Sequence, residues 1–281
     1  MRYLFFLILP KNHLSALVGF LVNLKLPWGL SLISLKIFCY ITGADPSTAS
    51  RPLKDYSCIG DFFTRDLREG LRPVGRGILS PVDGTLRSFG LIEEFEFEAV
   101  KGTRYSVPEF LGSSEFAEKF RGGTFLNFYL APCDYHQIHS PVDAKISSVT
   151  HIPGNLWPVN DWSVRSVKNL FSVNERVVCY LESEFGMIAV VLVGATNVGK
   201  ISLSFLPIDT NTSRNRKPRD FELDPCPFIN SGDRIGTFHM GSSVVVLFRP
   251  NALDRFNSKV DQLPRKVCYG ETLFESKEFD K

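Results

Sequence analysis

The 281-residue sequence predicts an α+β fold that is predominantly β, with a barrel-like or sandwich β core and a short helical segment at its N-terminus. Beyond residue 60 the chain is dominated by short runs of β-branched and aromatic residues separated by turn residues. Clear helical patterns are few in that part of the chain. Residues 1–44, by contrast, are leucine-rich and basic, without an acidic residue. We therefore expect an N-terminal segment of residues 1–60 and a β-rich domain of residues 61–281.

The N-terminal segment has the composition of short helices that lie on a membrane. Its apolar runs are interrupted by polar residues and prolines, and none reaches the ~18 residues that a spanning helix needs. Pro10 ends the first run too early for a secretory signal, and no small-residue cleavage site follows it. Helices broken at Pro10 and near Pro27 would place leucines on one face and basic side chains at its rim, which is typical of an interfacial anchor. A buried helical hairpin is the alternative. The basic residues are Arg2, Lys11, Lys25 and Lys36.

Individual elements follow from the local patterns. The strand-like runs are Gly123–Leu130, Arg176–Ser183, Met187–Val193, Ile201–Pro207 and Ser243–Phe248. The helical candidates are Ser57–Leu67, Val107–Lys119 and the neighbourhood of Trp162–Leu170. One heptapeptide, Ser80–Leu86, recurs as Ser140–Ile146, and we expect the two copies at equivalent corners of a quasi-symmetric sheet.

Composition excludes several classes of function. The chain carries 32 Lys and Arg against 30 Asp and Glu, and no block of like charge is long enough to follow a phosphate backbone. Nucleic acid is therefore not expected as a partner. The cysteines form no C-x-x-C pair, so we expect reduced thiols and neither a structural zinc site nor a redox dithiol. They are Cys39, Cys58, Cys133, Cys179, Cys226 and Cys268.

The stretch Gly194–Lys200 matches the G-x-x-x-x-G-K pattern of phosphate-binding loops. Such a loop needs Ser or Thr at the next position and a helix that opens there. Here Ile201 follows and begins an alternating, strand-like run. We therefore interpret the glycines as turn residues.

Two further motifs stay ambiguous from the residues alone. His136 and His139 form an H-x-x-H without other candidate ligands at metal-site spacing, so one of them is either a general base or a structural histidine. Gly241-Ser242 precedes an apolar β run. It is either a turn, or a site where a hydroxyl attacks a carbonyl that no Cβ shields.

The chain resembles the phosphatidylserine decarboxylases of the bacterial type. The family's L-G-S-T cleavage motif reads Met240–Ser243 here, and its Y-H-R-x-H-x-P motif occurs with Gln137 in place of Arg. The resembling blocks occur in family order over roughly residues 8–250: Ile8–Lys11 through Gly19-Phe20, Phe62–Leu67 with Arg72-Pro73, Ser80–Gly84, Leu130–Pro141, Asn174–Val177, Val193–Gly199 and Met240–Phe248.

The resemblance implies that the protein cuts its own chain. Asp83 would orient His139, and His139 would deprotonate Ser242 for attack on the Gly241 carbonyl. The resulting ester would break by β-elimination, and hydrolysis of the dehydroalanine would release ammonia. Chains 1–241 and 242–281 would remain as a heterodimer that could form a higher oligomer, with a pyruvoyl group at position 242.

The same resemblance implies the activity. The pyruvoyl ketone would form a Schiff base with phosphatidylserine and act as electron sink while carbon dioxide leaves, giving phosphatidylethanolamine without a metal or an external cofactor. His139, assisted by His136, would handle the proton. The enzyme would associate peripherally with the cytoplasmic side of the cell membrane through residues 1–44.

Three other functions stay open. A hydrolase would keep Ser242, His139 and Asp83 in an uncut chain. A non-catalytic peripheral membrane module would use Gly241-Ser242 only as a turn. A pyruvoyl enzyme acting on a soluble amino acid would share the chemistry but would not need the N-terminal segment.

Overall fold

The computed structural model describes residues 11–100, 102–159, 161–196, 200–208, 210–211, 217–239 and 242–277. Gly241, Gly199 and the predicted apolar run before Pro10 lie outside these ranges. The predominantly β character is confirmed, because most ordered elements are strands around one large apolar core.

Two α-helices lie within the described residues 11–45, and Pro27 separates them as expected. They are α1 (Lys11–Val22) and α2 (Trp28–Thr42), and α2 ends at Gly43 in the left-handed conformation, φ 77°. Leu35 is fully buried in a small separate cluster with Tyr56 and Phe62. No helix in the described part of the chain is long and apolar enough to cross a membrane.

A nine-stranded sheet forms the centre of the molecule. Eight strands follow the order β11-β7-β8-β9-β14-β5-β2-β16, and β12 pairs with β7 beside β11. In the described part of the chain this sheet ends at β11 and β16 and does not close on itself. The strands are β2 (Gly84–Leu91), β5 (Thr124–Leu130), β7 (Ala144–Ile152), β8 (Arg176–Ser183), β9 (Gly186–Gly194), β11 (Arg219–Glu222), β12 (Phe228–Ile229), β14 (Ser242–Phe248) and β16 (Arg265–Val267).

Smaller sheets pack around this centre. One has the order β10-β13-β6, another β1-β17-β15, and β3 pairs with β4. Their strands are β1 (Ile78–Leu79), β3 (Glu96–Val100), β4 (Thr103–Ser106), β6 (Gln137–His139), β10 (Ile201–Leu203), β13 (Arg234–Phe238), β15 (Phe256–Ser258) and β17 (Thr272–Ser276).

The helices of the β-rich part are shorter than the sequence suggested. The predicted helix Val107–Lys119 is two helices, because Gly112 lies between them with φ 68° and takes the left-handed conformation that ends the first. The predicted strand Ile201–Pro207 likewise ends at Leu203. The helices are α3 (Ile59–Phe63), α4 (Val107–Leu111), α5 (Ser114–Glu118), α6 (Asp161–Ser166) and α7 (Leu170–Val173).

The two copies of the heptapeptide form a quasi-symmetric pair. Each copy's serine hydroxyl donates to the backbone carbonyl two residues on, Ser80 to Val82 at 2.8 Å and Ser140 to Val142 at 2.6 Å. Each serine also exchanges backbone hydrogen bonds with a glycine turn, Gly270-Glu271 in the first copy and Gly232-Asp233 in the second. The two copies bond to each other as well, since the amide of the residue before each serine donates to the proline carbonyl of the other copy. The predicted equivalence of the two corners is therefore confirmed.

Candidate active site

Ser242 begins the strand at the middle of the large sheet. Strand β14 lies between β5 and β9, and Ser242 is in register with Leu130 on one side and Gly194 on the other. The residue is fully buried, and its Oγ has no hydrogen-bond partner in the described structure. A buried hydroxyl without a partner costs about 1–3 kcal/mol, so such groups call for an explanation beyond packing.

Strand β13, which ends shortly before the predicted cleavage position in the sequence, lies next to the histidine motif. β13 pairs antiparallel with β6, which carries His139. The amide of Phe238, at the end of β13, donates to the carbonyl of His136 at 3.0 Å. Only three residues, 239–241, separate Phe238 from Ser242, so the H-x-x-H motif and the Gly-Ser step occur in neighbouring parts of the fold.

His139 is held in one tautomer. Its Nδ1 lies 2.7 Å from the Gly232 carbonyl, which can only accept, so Nδ1 carries the proton. Its Nε2 then accepts from the Tyr135 hydroxyl at 3.2 Å. The imidazole is stacked on the Tyr269 ring, with 3.8 Å between centroids and 7° between planes. His139 is therefore a neutral base whose lone pair at Nε2 is occupied by a phenol.

Asp83 is held by an arginine and by a backbone amide. Arg72 donates to both carboxylate oxygens, with the closest contact at 2.7 Å from Nη2, and Asp83 raises the pKa of Arg72 in return. The backbone amide of Tyr269 donates to Oδ1 at 2.9 Å. Asp83 is thus a nearly buried carboxylate with three fixed donors, although sequence reasoning assigned it to His139 alone.

Of the three predicted residues, the structure brings Asp83 and His139 into one cluster without joining them directly. No hydrogen bond links Asp83 to His139, or either of them to Ser242, among the described side chains. Asp83 and His139 meet instead through Tyr269, whose amide donates to the first and whose ring stacks on the second.

His136 differs from His139 in having a free lone pair. Its Nδ1 donates to the Asp134 carbonyl at 2.9 Å, so Nε2 is the unprotonated nitrogen. That Nε2 is buried and has no partner in the described structure. The ring packs against Phe63 of α3, with centroids 4.1 Å apart. His136 is therefore a second buried neutral imidazole, and its Nε2 and the Ser242 hydroxyl both lack a partner among the described residues.

Three residues of this site were not identified from the sequence as functional. Arg72 and Tyr135 stand inside quoted motif blocks, but nothing in those blocks indicates a contact with Asp83 or His139. Tyr269 lies in a turn, more than a hundred residues after His139 in the sequence. Motif spacing therefore could not reveal its contact with His139. Gln137, which stands where the family motif has Arg, has a structural role, because its side-chain amide donates to the carbonyls of Thr64 and Arg65, both at 3.1 Å.

Burial keeps both histidines neutral. It lowers the pKa of His139 to about 4 and that of His136 to about 3, more than their hydrogen bonds to backbone carbonyls raise them. A base must be unprotonated to accept a proton, so the acid limb of any reaction that uses His139 lies well below neutral pH.

If His139 is the base in chain cleavage, we expect a cleavage rate that is level near neutral pH and falls by about tenfold per pH unit below the pKa of about 4. Precursor from brief cell-free translation, moved into buffers between about pH 3.5 and pH 8, would give the profile, with circular dichroism to confirm folding. A midpoint near the ordinary histidine value would show that the base is a solvent-exposed imidazole instead.

The remaining sequence motifs acquire no chemical role. Within the described residues, no group of three or more His, Cys, Asp or Glu side chains could hold a metal ion. Gly194 is the last residue of β9, and β10 begins at Ile201, so a strand and not a helix follows Lys200. Gly194 is therefore a strand residue and not the turn residue that we expected, whereas Gly199 lies outside the described residues.

Comparison with known proteins gives consistent matches. The family model described as phosphatidylserine decarboxylase matches residues 59–275. A phosphatidylserine decarboxylase proenzyme of Anaeromyxobacter sp. (strain K) is 41% identical over 249 residues, covering 86% of this chain and 87% of the relative. Proenzymes of the same name are 39% identical in Myxococcus xanthus, over 86% and 87% of the two chains, and 36% identical in Nitrosospira multiformis, over 95% and 93%.

Proposed function

This chain belongs to the phosphatidylserine decarboxylase family of enzymes, and on that premise we propose that it converts phosphatidylserine to phosphatidylethanolamine and carbon dioxide with a pyruvoyl group made from its own Ser242. The observation that carries the proposal is the buried Ser242 hydroxyl, which has no partner in the described structure and stands at the start of the central strand. Relatives named as proenzymes support a precursor that must be processed.

The surroundings of Ser242 fit a group made from that residue. The pyruvoyl group, once formed, supplies a carbonyl that withdraws the electrons freed when carbon dioxide leaves. Conversion removes the Ser242 hydroxyl and amine and so leaves no unpaired Oγ in the core. The strand flanks, Leu130 and Gly194, hold the position by backbone register and do not depend on the serine side chain.

Self-cleavage needs a neutral base near Ser242 and a carbonyl at Gly241. His139 is the proposed base, with its proton fixed on Nδ1 by Gly232 and its Nε2 facing Tyr135. The Tyr135 hydroxyl must therefore yield its place, or relay the proton, when Ser242 attacks. His136 is proposed to assist the proton transfer in decarboxylation, because its Nε2 is unprotonated and has no partner among the residues that the structure describes.

Intact-protein mass spectrometry, with and without borohydride reduction, tests this function. We expect fragments of residues 1–241 and 242–281, and a mass increase on reduction confined to the smaller one. The purified protein should also release carbon dioxide from phosphatidylserine. An uncut, unreactive chain in active material would favour the hydrolase, and fragments active only on a soluble amino acid would replace the lipid as substrate.

We propose that the N-terminal helices attach the enzyme to the cytoplasmic surface of the cell membrane, where its substrate resides. The outer face of α2 is apolar at helical spacing, since Leu30, Ile33 and Ile37 are each more than half exposed and Ile41 is 74% exposed. The opposite face packs through Leu35 against the cluster that contains Phe62. One helix thus has a protein-facing side and a side suited to lipid. We also propose that the anchor ends, and the catalytic domain begins, near residue 60.

Replacing Ile33 and Ile37 with Glu should weaken vesicle binding by on the order of a hundredfold, because each side chain loses about 1.5 kcal/mol or more of apolar burial. Flotation with vesicles of equal parts phosphatidylglycerol and phosphatidylcholine measures the bound fraction. Leu91→Glu is the matched control, since Leu91 is 69% exposed on β2, outside the N-terminal helices. Equal flotation of all three proteins would contradict an anchor on α2.

A further inference from the structure

We propose that Tyr269 is a positioning residue for His139 and that it connects Asp83 to His139 during chain cleavage. This inference rests on the proposed function, because it assigns a role within the same self-processing site. It also assigns a role to the part of the chain after Pro250, from which no function could be inferred by sequence.

Two contacts of Tyr269 carry the proposal. Its backbone amide donates to Asp83 Oδ1 at 2.9 Å, which fixes the main chain of the residue. Its ring lies parallel to the His139 imidazole at 3.8 Å, which covers one face of the base. The ring of Tyr135 lies on the same cluster, 5.5 Å from the Tyr269 ring and 5.7 Å from the imidazole. Asp83 therefore acts on His139 through the position of Tyr269 and through its charge.

The internal repeat supplies a control within the molecule. Asp143 occupies the place of Asp83 in the second copy, and it accepts the backbone amide of Ser231 at 2.6 Å as Asp83 accepts that of Tyr269. The aspartate and the glycine turn are thus common to both copies and serve to build the corner. The copies differ in what they add, since the first carries an aromatic ring over His139 and an arginine on its aspartate.

That difference separates a structural role at the corner from the positioning of His139. An Asp-to-amide bond is sufficient to hold a turn, as Asp143 and Ser231 show. A tyrosine ring is not needed for that purpose. Its stacking on a buried imidazole restricts the ring plane of His139 and excludes water from it, and both effects bear on how the base meets Ser242.

The smaller product chain would thus contribute a positioning residue to the site in addition to the pyruvoyl group. Tyr269 lies in residues 242–281, whereas Asp83 and His139 lie in residues 1–241. The stacked pair therefore joins the two fragments at the site after cleavage. Orientation of His139 would depend on the correct seating of the C-terminal fragment.

Tyr269→Ala should slow self-cleavage by up to about tenfold, the value of one aromatic contact, while Tyr269→Phe, which keeps the ring, should cleave within about twofold of the parent. Loss of the ring also admits water to His139, so the acid limb of the cleavage profile should move to higher pH. Asp83, Asp233 and Arg234, the charged groups that face His139, are unchanged by the substitution. Phe228→Ala, which removes an exposed ring on β12, should alter neither rate nor profile.

The His139 titration provides a readout that is independent of cleavage. In a Ser242→Ala background, which stays uncut, imidazole resonances should show a higher pKa for His139 when Tyr269 is Ala than when it is Tyr or Phe. If the alanine variant does not fold, Tyr269→Leu serves in its place. The His139 pKa in that variant should lie between the values expected for Ala and Phe at position 269. The inference would be overturned if a folded Ala or Leu variant had the parental cleavage rate, the parental pH profile of cleavage and the parental pKa of His139. Absence of cleavage in the parent would instead overturn the proposed function.

Discussion

We expect the Ser242→Ala protein to accumulate as one uncut chain without decarboxylase activity. The substitution removes the hydroxyl that is proposed to attack the Gly241 carbonyl, and it removes the proposed precursor of the pyruvoyl group. The loss should reach the background of the assay, at least on the order of 10⁴-fold, because nucleophile and cofactor disappear together. Gel electrophoresis, intact mass and carbon dioxide release from phosphatidylserine measure the three consequences.

Folding of this variant should be unaffected or slightly improved. The Ser242 hydroxyl is buried and unpaired in the described structure, so a methyl group removes an unsatisfied polar atom from the core without leaving a partner behind. A melting temperature equal to or above that of an uncut reference is expected. Ser258→Ala is the matched control, since Ser258 is an exposed serine of the same fragment on β15. Normal cleavage with Ala at position 242 would end the proposal.

The second large effect is expected at Asp83 and His139. His139→Ala removes the proposed base, and we expect processing to slow by on the order of 10⁴-fold, as for members of serine-type triads. Asp83→Asn should also leave mostly uncut precursor. The amide can still accept from Tyr269, but it loses the charge that faces Arg72, and its NH₂ group would oppose a guanidinium donor. Pulse-chase analysis of precursor and product gives both rates.

The internal repeat again offers a matched control for this prediction. Asp143→Asn makes the same chemical change at the equivalent corner, where Ser231 donates through both its amide and its hydroxyl. We expect a stability loss of about 0.5–1.5 kcal/mol and cleavage at the parental rate. Rapid cleavage in the Asp83→Asn protein would show that Asp83 is not part of the mechanism. Equal cleavage defects in the two variants would show that Asp83 serves only to hold the corner of the sheet.

The strands were predicted best where burial alone determines them. Arg176–Ser183 is observed with the predicted bounds, and the predicted run Ser243–Phe248 begins one residue earlier, at Ser242. Both strands are interior and carry long apolar runs, so the pattern needs no knowledge of neighbours. The helix predicted over Val107–Lys119 was wrong in continuity, because Gly112 takes a left-handed conformation that periodicity does not report.

The candidate site was accessible to sequence reasoning only in part. Asp83, His139 and Ser242 carry reactive groups inside recognisable blocks, so resemblance could single them out. Arg72 contacts Asp83 and Tyr269 contacts His139 only in the folded protein, and local sequence patterns do not reveal which distant residues meet. The same limit applies to the proton position on His139, which depends on the carbonyl of Gly232.

Because β14 lies in the middle of the sheet, the protein is expected to refold poorly once the proposed cut has been made. Seven residue pairs join β14 to β5 and another seven join it to β9, so the fragment that begins at Ser242 supplies the middle of the sheet. If the chain is cut after the precursor has folded, this fragment stays in place. The enzyme then keeps the structure that formed while the chain was intact. Once denatured, the two pieces must find each other, and recovery becomes dependent on concentration. The mature enzyme would thus be durable in use yet poor at reassembly, which makes the order of folding before cutting an essential part of its synthesis.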